Sequence, residues 1–173
     1  MSVPAATQAL GSTPRRLSAL FMALEPELHR VRPDGQAFAF GEHLWHLADL
    51  ETEAFQVRLR RLLEEDAPFL PDFDGAAAAR QRDYLAKDPA EGLRRFSAAR
   101  ARTLELLGRV KAQDWDREGE QQGAGRITLA DLPARMLAHD QAHLCELRGL
   151  LTALRREPLT ELLGTTAAME DCA

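Results

Sequence analysis

Excess positive charge, cysteine and long apolar runs are all scarce in this chain, and each scarcity excludes a class. The 173 residues hold 22 Lys and Arg against 27 Asp and Glu, a net charge of −5. The arginine runs (Arg58, Arg60, Arg61; Arg94, Arg95; Arg155, Arg156) are short and interleaved with acids, which reads as solvated helix faces. No nucleic-acid partner is expected, because such binders carry a basic balance or stripe. There are two cysteines, Cys145 and Cys172, in no CxxC spacing. Neither a disulfide nor a thiolate zinc site is expected. No apolar run reaches the ~18 residues of a membrane span. The start, MSVPAATQALGSTPRR, lacks the basic and apolar regions of a signal peptide. A cytoplasmic protein without a membrane partner is the expectation. One domain is expected over 1–173, with its core at about 12–156 and a tail at 157–173.

What is present is helical periodicity. A first helix is signalled at Ser12-Thr13-Pro14, a cap followed by proline in the first turn. Leu17, Leu20, Phe21 and Leu24 follow at helical spacing, Pro26 ends the run, and a short turn leads to a stop at Pro33-Asp34-Gly35. A second helix spans roughly Ala39 to Glu65. A third opens at Asp88-Pro89-Ala90-Glu91 and carries Leu93, Phe96, Leu104, Leu107 and Val110. A fourth starts within Thr128–Asp131, with Pro133 favouring Asp131 as its cap, and runs to about Arg156 before Pro158. Leu159–Leu163 can add a turn. The segment APFLPDFDG after helix two is too apolar for a plain linker and should pack over one end of the bundle. Gln121–Arg126 reads as a loop. No strand is convincing. The fold class is all-α, a four-helix bundle.

Two of these helices put histidine where aliphatic residues belong. The inward stripe of helix four reads Leu132, Met136, His139, His143, Leu147, Leu150, Leu154. Residues four apart lie about 40° apart around the axis, so His139 and His143 can converge on one ion. The stripe of helix two reads Ala39, His43, His46, Leu50, Ala54, Val57. If the start of helix two faces the middle of helix four, three histidines meet inside the bundle. Buried imidazoles need partners, and a divalent metal satisfies all three at once. Three protein ligands leave the open position of a catalytic metal. A zincin is disfavoured, because Asp140-Gln141-Ala142 between the pair puts no Glu base in that place. A ferritin-like di-iron centre is disfavoured, since neither Glu42 nor Glu146 has the required spacing. Glu42, Asp49, Asp140 and Glu146 flank the histidines and can orient their second nitrogens. Glu42, one turn before His46, is the best of them, and Asp140 is expected at the surface. Glu51 and Arg58 are expected in ion pairs with another helix. Cys145 should point away from the site.

Several stretches carry a resemblance. GEHLWHLADLE (41–51), the following ETEAFQVRLRRL, PFLPDFD (68–74), LLGRVKAQDWDREGE (106–120) and ITLADLPARMLAHDQAHLCELRGLL (127–151) resemble, in order and spacing, the DinB-like (DinB/YfiT) superfamily. The resemblance covers most of 12–156. It implies a four-helix bundle, often a homodimer, with a three-histidine divalent-metal site made by His46, His139 and His143. His43 has no counterpart and reads as a second-layer or core residue. Phe38 stands where relatives often have tryptophan. Relatives include transferases that use a low-molecular-weight thiol. The implied protein is a divalent-metal (zinc, nickel or iron) enzyme, a thiol S-transferase or hydrolase acting on a small molecule. In either chemistry a water or a thiol at the metal would be the nucleophile. A non-catalytic metal-binding or stress-response bundle is the alternative. A metal-free interaction bundle, its histidines satisfied by hydrogen bonds, is a third.

Overall fold

The computed structural model describes residues 2–33 and 38–155. The expected stop at Asp34-Gly35, the helix end at Pro158, the turn at Leu159–Leu163 and the tail lie outside the described residues. The chain forms α1 (Val3–Leu10), α2 (Thr13–Ala23), a 3-10 turn (Pro26–Arg30) and α3 (Phe40–Leu50). A π-helical turn (Glu51–Phe55) joins α3 to α4 (Gln56–Glu64). Then come β1 (Phe69–Leu70), α5 (Gly75–Gln81), α6 (Pro89–Gly108), β2 (Glu118–Gln121), β3 (Gly125–Thr128) and α7 (Leu132–Arg155). Helices α2, α3–α4, α6 and α7 are the four expected, and they pack as the bundle.

Side-chain capping starts α6 but not α2, where Ser12 makes no cap bond and the Thr13 hydroxyl turns to Asp140 instead. Asp88 accepts from the Ala90 N–H at 3.0 Å and opens α6 with Pro89 behind it. The start of α7 differs from expectation. Thr128 is the cap of a 3-10 turn, Leu129–Asp131, that leads into the helix. Asp131 reaches back instead, accepting from the Thr128 N–H at 2.8 Å and its hydroxyl at 2.9 Å.

Two helices and a three-stranded sheet were not read from the sequence. Helix α1 buries Ala6 and Leu10, so the core begins before residue 12. Helix α5 occupies the alanine run, capped by Asp74, which accepts from the Ala77 N–H. The expectation of no strand fails. β2 and β3 pair antiparallel with Gly119 opposite Ile127, and β1 joins β2 in parallel, Phe69 opposite Glu120. Gly123 and Gly125, at φ +76° and +74°, make the hairpin turn. Through Leu70, fully buried, the APFLPDFDG segment closes one end of the core.

The π turn also moves the core face. It inserts an extra residue into the helical repeat. Beyond it, Arg58, Leu59 and Leu62 are buried, and Val57 of the expected stripe is not fully so.

Two apolar clusters fill the bundle. One contains Leu10, Leu50, Leu107 and Leu137, the other Leu17, Leu47, Phe96 and Leu144. Four buried polar residues meet across the bundle: Thr13 on α2, Glu51 in the π turn, Arg100 on α6 and Asp140 on α7; Arg100 and Asp140 stand between their helices' members of the two clusters. The Arg100 guanidinium donates to both Glu51 oxygens at 2.9 Å and to Asp140 at 2.6 and 3.0 Å. Thr13 donates its hydroxyl to Asp140 at 2.7 Å, and Arg100 also donates to the Leu10 carbonyl at 3.2 Å. Asp140 is therefore not a surface residue; it is 1 % exposed. Glu51 does reach another helix as expected. Arg58 reaches a loop instead, donating to Asp72 and to the Pro71 carbonyl at 3.2 Å.

Candidate metal centre

The buried face of α7 is centred on Met136, Leu137, Asp140, Leu144 and Leu147. His139 and His143 lie on one edge of that face rather than along its middle, turned towards α3. From α3, His46 meets them. The ring centroids stand 4.4 Å apart for His139–His143, 4.9 Å for His46–His143 and 5.5 Å for His46–His139. One nitrogen from each of the three lies within 4.8 Å of the others, a group able to hold a metal ion. Nε2 of His143 is 3.2 Å from Nε2 of His139.

Burial lowers the pKa of all four imidazoles here, to about 4 for His46 and His143 and about 3 for His43 and His139. Neighbouring imidazoles add to the shift at His43, His46 and His139. The rings are neutral at neutral pH, the state that metal ligation requires. His46 Nδ1 and His139 Nδ1 are buried and have no hydrogen-bond partner among the described residues. An orphaned buried nitrogen costs on the order of 1–3 kcal/mol, so the donor set suits a divalent ion.

Apolar groups frame the cluster. Phe38 stands edge-on to His43 and His46, Phe73 lies beside His46, and Phe55 meets His139 edge-on. Gly75, at the start of α5, lies against the His46 ring: a Cβ there would be 2.3 Å from Cε1 and 2.6 Å from Nδ1. Neither Gly75 nor the role of Phe73 was foreseen. The only sequence signal was the apolar character of the segment that carries them.

The flanking acids separate sharply. Glu42 does not face an imidazole, contrary to its expected place behind His46. Its carboxylate accepts from the Ala39 N–H at 2.8 Å, closing the start of α3, and binds Arg32 through two bonds. As the third residue of the helix it is bound by the orphan amide nearest to it. Asp49 accepts from Tyr84 at 2.5 Å and from Arg82 at 2.6 Å, and burial with Asp49 raises the Tyr84 pKa. Asp140 is committed to Arg100. Glu146 alone touches the cluster: its Oε2 is 2.8 Å from Nδ1 of His143 and 3.6 Å from Nδ1 of His43. His43 is 5 % exposed, with Nδ1 3.0 Å from Nδ1 of His143. Cys145 is not a free thiol but disulfide-bonded, against the expectation of no disulfide.

Among the described residues no helix is long and apolar enough to cross a membrane. No curated protein matches the chain. Among solved structures it is similar to YfiT from Bacillus subtilis, described as a probable metal-dependent hydrolase with an unusual four-helix bundle topology. The two share 19 % identity at a TM-score of 0.80, covering 88 % of this chain and 87 % of that one. The bundle topology is thus common to both. The sequence model of the DinB superfamily matches residues 9–147, a span that includes all three converging histidines. By that match the chain belongs to the DinB superfamily.

Proposed function

We propose that His46, His139 and His143 bind one divalent ion, zinc, nickel or iron, and that the protein is a metal-dependent enzyme acting on a small molecule. The observation that carries this is the set of three neutral imidazoles on one point, two of them with an orphaned buried nitrogen. Three protein donors fit a catalytic ion better than a structural one, which takes four. When bound, the ion supplies Lewis acidity, lowering the pKa of a water or thiol ligand towards neutrality. The chain itself contributes the apolar phenylalanine frame around the rings and the seat at Gly75 that holds the His46 ring.

Hydrolysis is the first reading, supported by the description of YfiT. Transfer of a low-molecular-weight thiol is the second, supported by the resemblance of the histidine helices to thiol-dependent relatives. The resemblance also supports a homodimer.

Metal content tests the proposal. Untagged protein, purified without a chelating column, should carry about one ion per chain by mass spectrometry, and His46→Ala and His143→Ala should each lose it. The loaded protein is then offered esters and amides, and separately electrophiles with a small thiol. Absence of metal in the wild type, even after zinc, nickel and iron are added back, overturns the enzyme reading and leaves an interaction bundle.

A further inference from the structure

We infer that Glu146 is a positioning residue for His143, its carboxylate accepting the Nδ1–H and so aiming the Nε2 lone pair at the point shared with His46 and His139. This rests on the metal-site reading above. A neutral imidazole carries one proton, on one nitrogen or the other. A carboxylate can only accept. Glu146 Oε2 at 2.8 Å from His143 Nδ1 therefore requires the proton on Nδ1 and leaves Nε2 bare. That bare nitrogen is the one 3.2 Å from His139 Nε2, on the side of the converging rings.

A competitor for the same proton is present. His43 Nδ1 stands 3.0 Å from His143 Nδ1. The carboxylate is nearer and charged, and charge-assisted bonds are about twice as strong as neutral ones. Glu146 thus accepts the hydrogen bond from the His143 Nδ1–H, and His43 stays a packing neighbour against Phe38. The other flanking acids are committed elsewhere: Glu42, Asp49 and Asp140 are held by Arg32, by Tyr84 with Arg82, and by Arg100. Glu146 lies one helical turn from His143 on the same helix, so its reach does not depend on the fold of any loop. Its side chain is 56 % exposed, so replacing it leaves the core intact.

The test reads the proton directly. Two-bond nitrogen–proton correlation spectra of the metal-free protein near neutral pH report the tautomer of each histidine, with His143→Ala giving the assignment. Wild type should show the Nδ1–H form at His143. Glu146→Ala should shift it towards Nε2–H, while Glu146→Gln, whose amide oxygen still accepts, and His43→Leu should keep it. Zinc affinity should fall about 10–100-fold in Glu146→Ala and less in Glu146→Gln. An Nε2–H form in the wild type overturns the inference. So does a Glu146→Ala protein with unchanged tautomer and zinc affinity, or uptake of two ions per chain with Glu146 as a ligand of the second. If the tautomer shifts as expected but the wild type binds no metal, the inference stands and the metal reading falls.

Discussion

Gly75 meets the His46 ring so closely that a methyl group has no room, yet the ring is the free end of a side chain. That asymmetry separates two effects of Gly75→Ala. Without metal the ring swings aside, and the helix gains the better former, so stability changes little. With metal the ring must stay, and overpacking of about 1–3 kcal/mol falls on the bound state. Zinc affinity should drop roughly 5- to 150-fold by calorimetric titration, with an unchanged melting temperature for the chelated protein. Equal affinity would show that α5 does not seat the ring. The four buried imidazoles make a second prediction. An unfolded imidazole takes up its proton near pH 6.5, whereas His46 and His143 resist to about 4 and His43 and His139 to about 3. Between those values the unfolded chain holds more protons, so stability is complete above the unfolded pKa and is lost as the pH falls through that window. Thermal melts of the metal-free protein from about pH 7 to pH 5 should show this fall, with a shallower slope in His43→Leu.

At the scale of elements, caps and periodicity were legible because they act over one or two turns. The proline and acid at Asp88-Pro89 marked α6 where it begins. The i, i+4 spacing placed His139 and His143 side by side without any knowledge of the fold. What the sequence concealed depends on partners distant in the chain. Residues 69–70 and 118–121 are too short to show alternation, and they are strands because each supplies the other's hydrogen bonds. The π turn breaks the count of 3.6, so a stripe extended past Leu50 goes to Val57 when the chain buries Arg58. Asp140 and Glu42 looked like flanking acids because nothing local reveals Arg100 or Arg32. The start of α7 gives a prediction of its own. Asp131 accepts two bonds from Thr128, and the backbone bond is the main reason its pKa is lowered. Asp131→Ala should cost about 0.5–2 kcal/mol in urea unfolding, by analogy with the loss of a cap. No loss would mean that the 3-10 turn carries the helix start unaided.

Across the whole molecule, one arginine ties the bundle together. Arg100 on α6 holds Glu51 in the π turn, Asp140 on α7 and the last carbonyl of α1, while Thr13 on α2 closes the set. Burial works against its charge, but the bonds to Asp140 and Glu51 prevail and raise its pKa. Removing only the cation strands two carboxylates in the core, so Arg100→Met should cost about 3–5 kcal/mol. Removing the whole layer is a different experiment. In Thr13→Val, Glu51→Leu, Arg100→Met, Asp140→Leu combined, no charge is left unpaired, and apolar residues of similar volume replace a layer whose desolvation offsets most of its attraction. Urea unfolding of that variant should return to the wild-type value or exceed it. Zinc affinity should not return. Asp140 adjoins His139 in sequence, and its bidentate grip on Arg100 fixes the rotation of α7 about its own axis. A leucine in that place packs at several rotations, and a small turn of α7 carries both His139 and His143 off the point they share with His46. Restored stability with weakened zinc binding is the expected pair of results. Restored stability with wild-type zinc affinity would mean that apolar packing alone sets the rotation of α7.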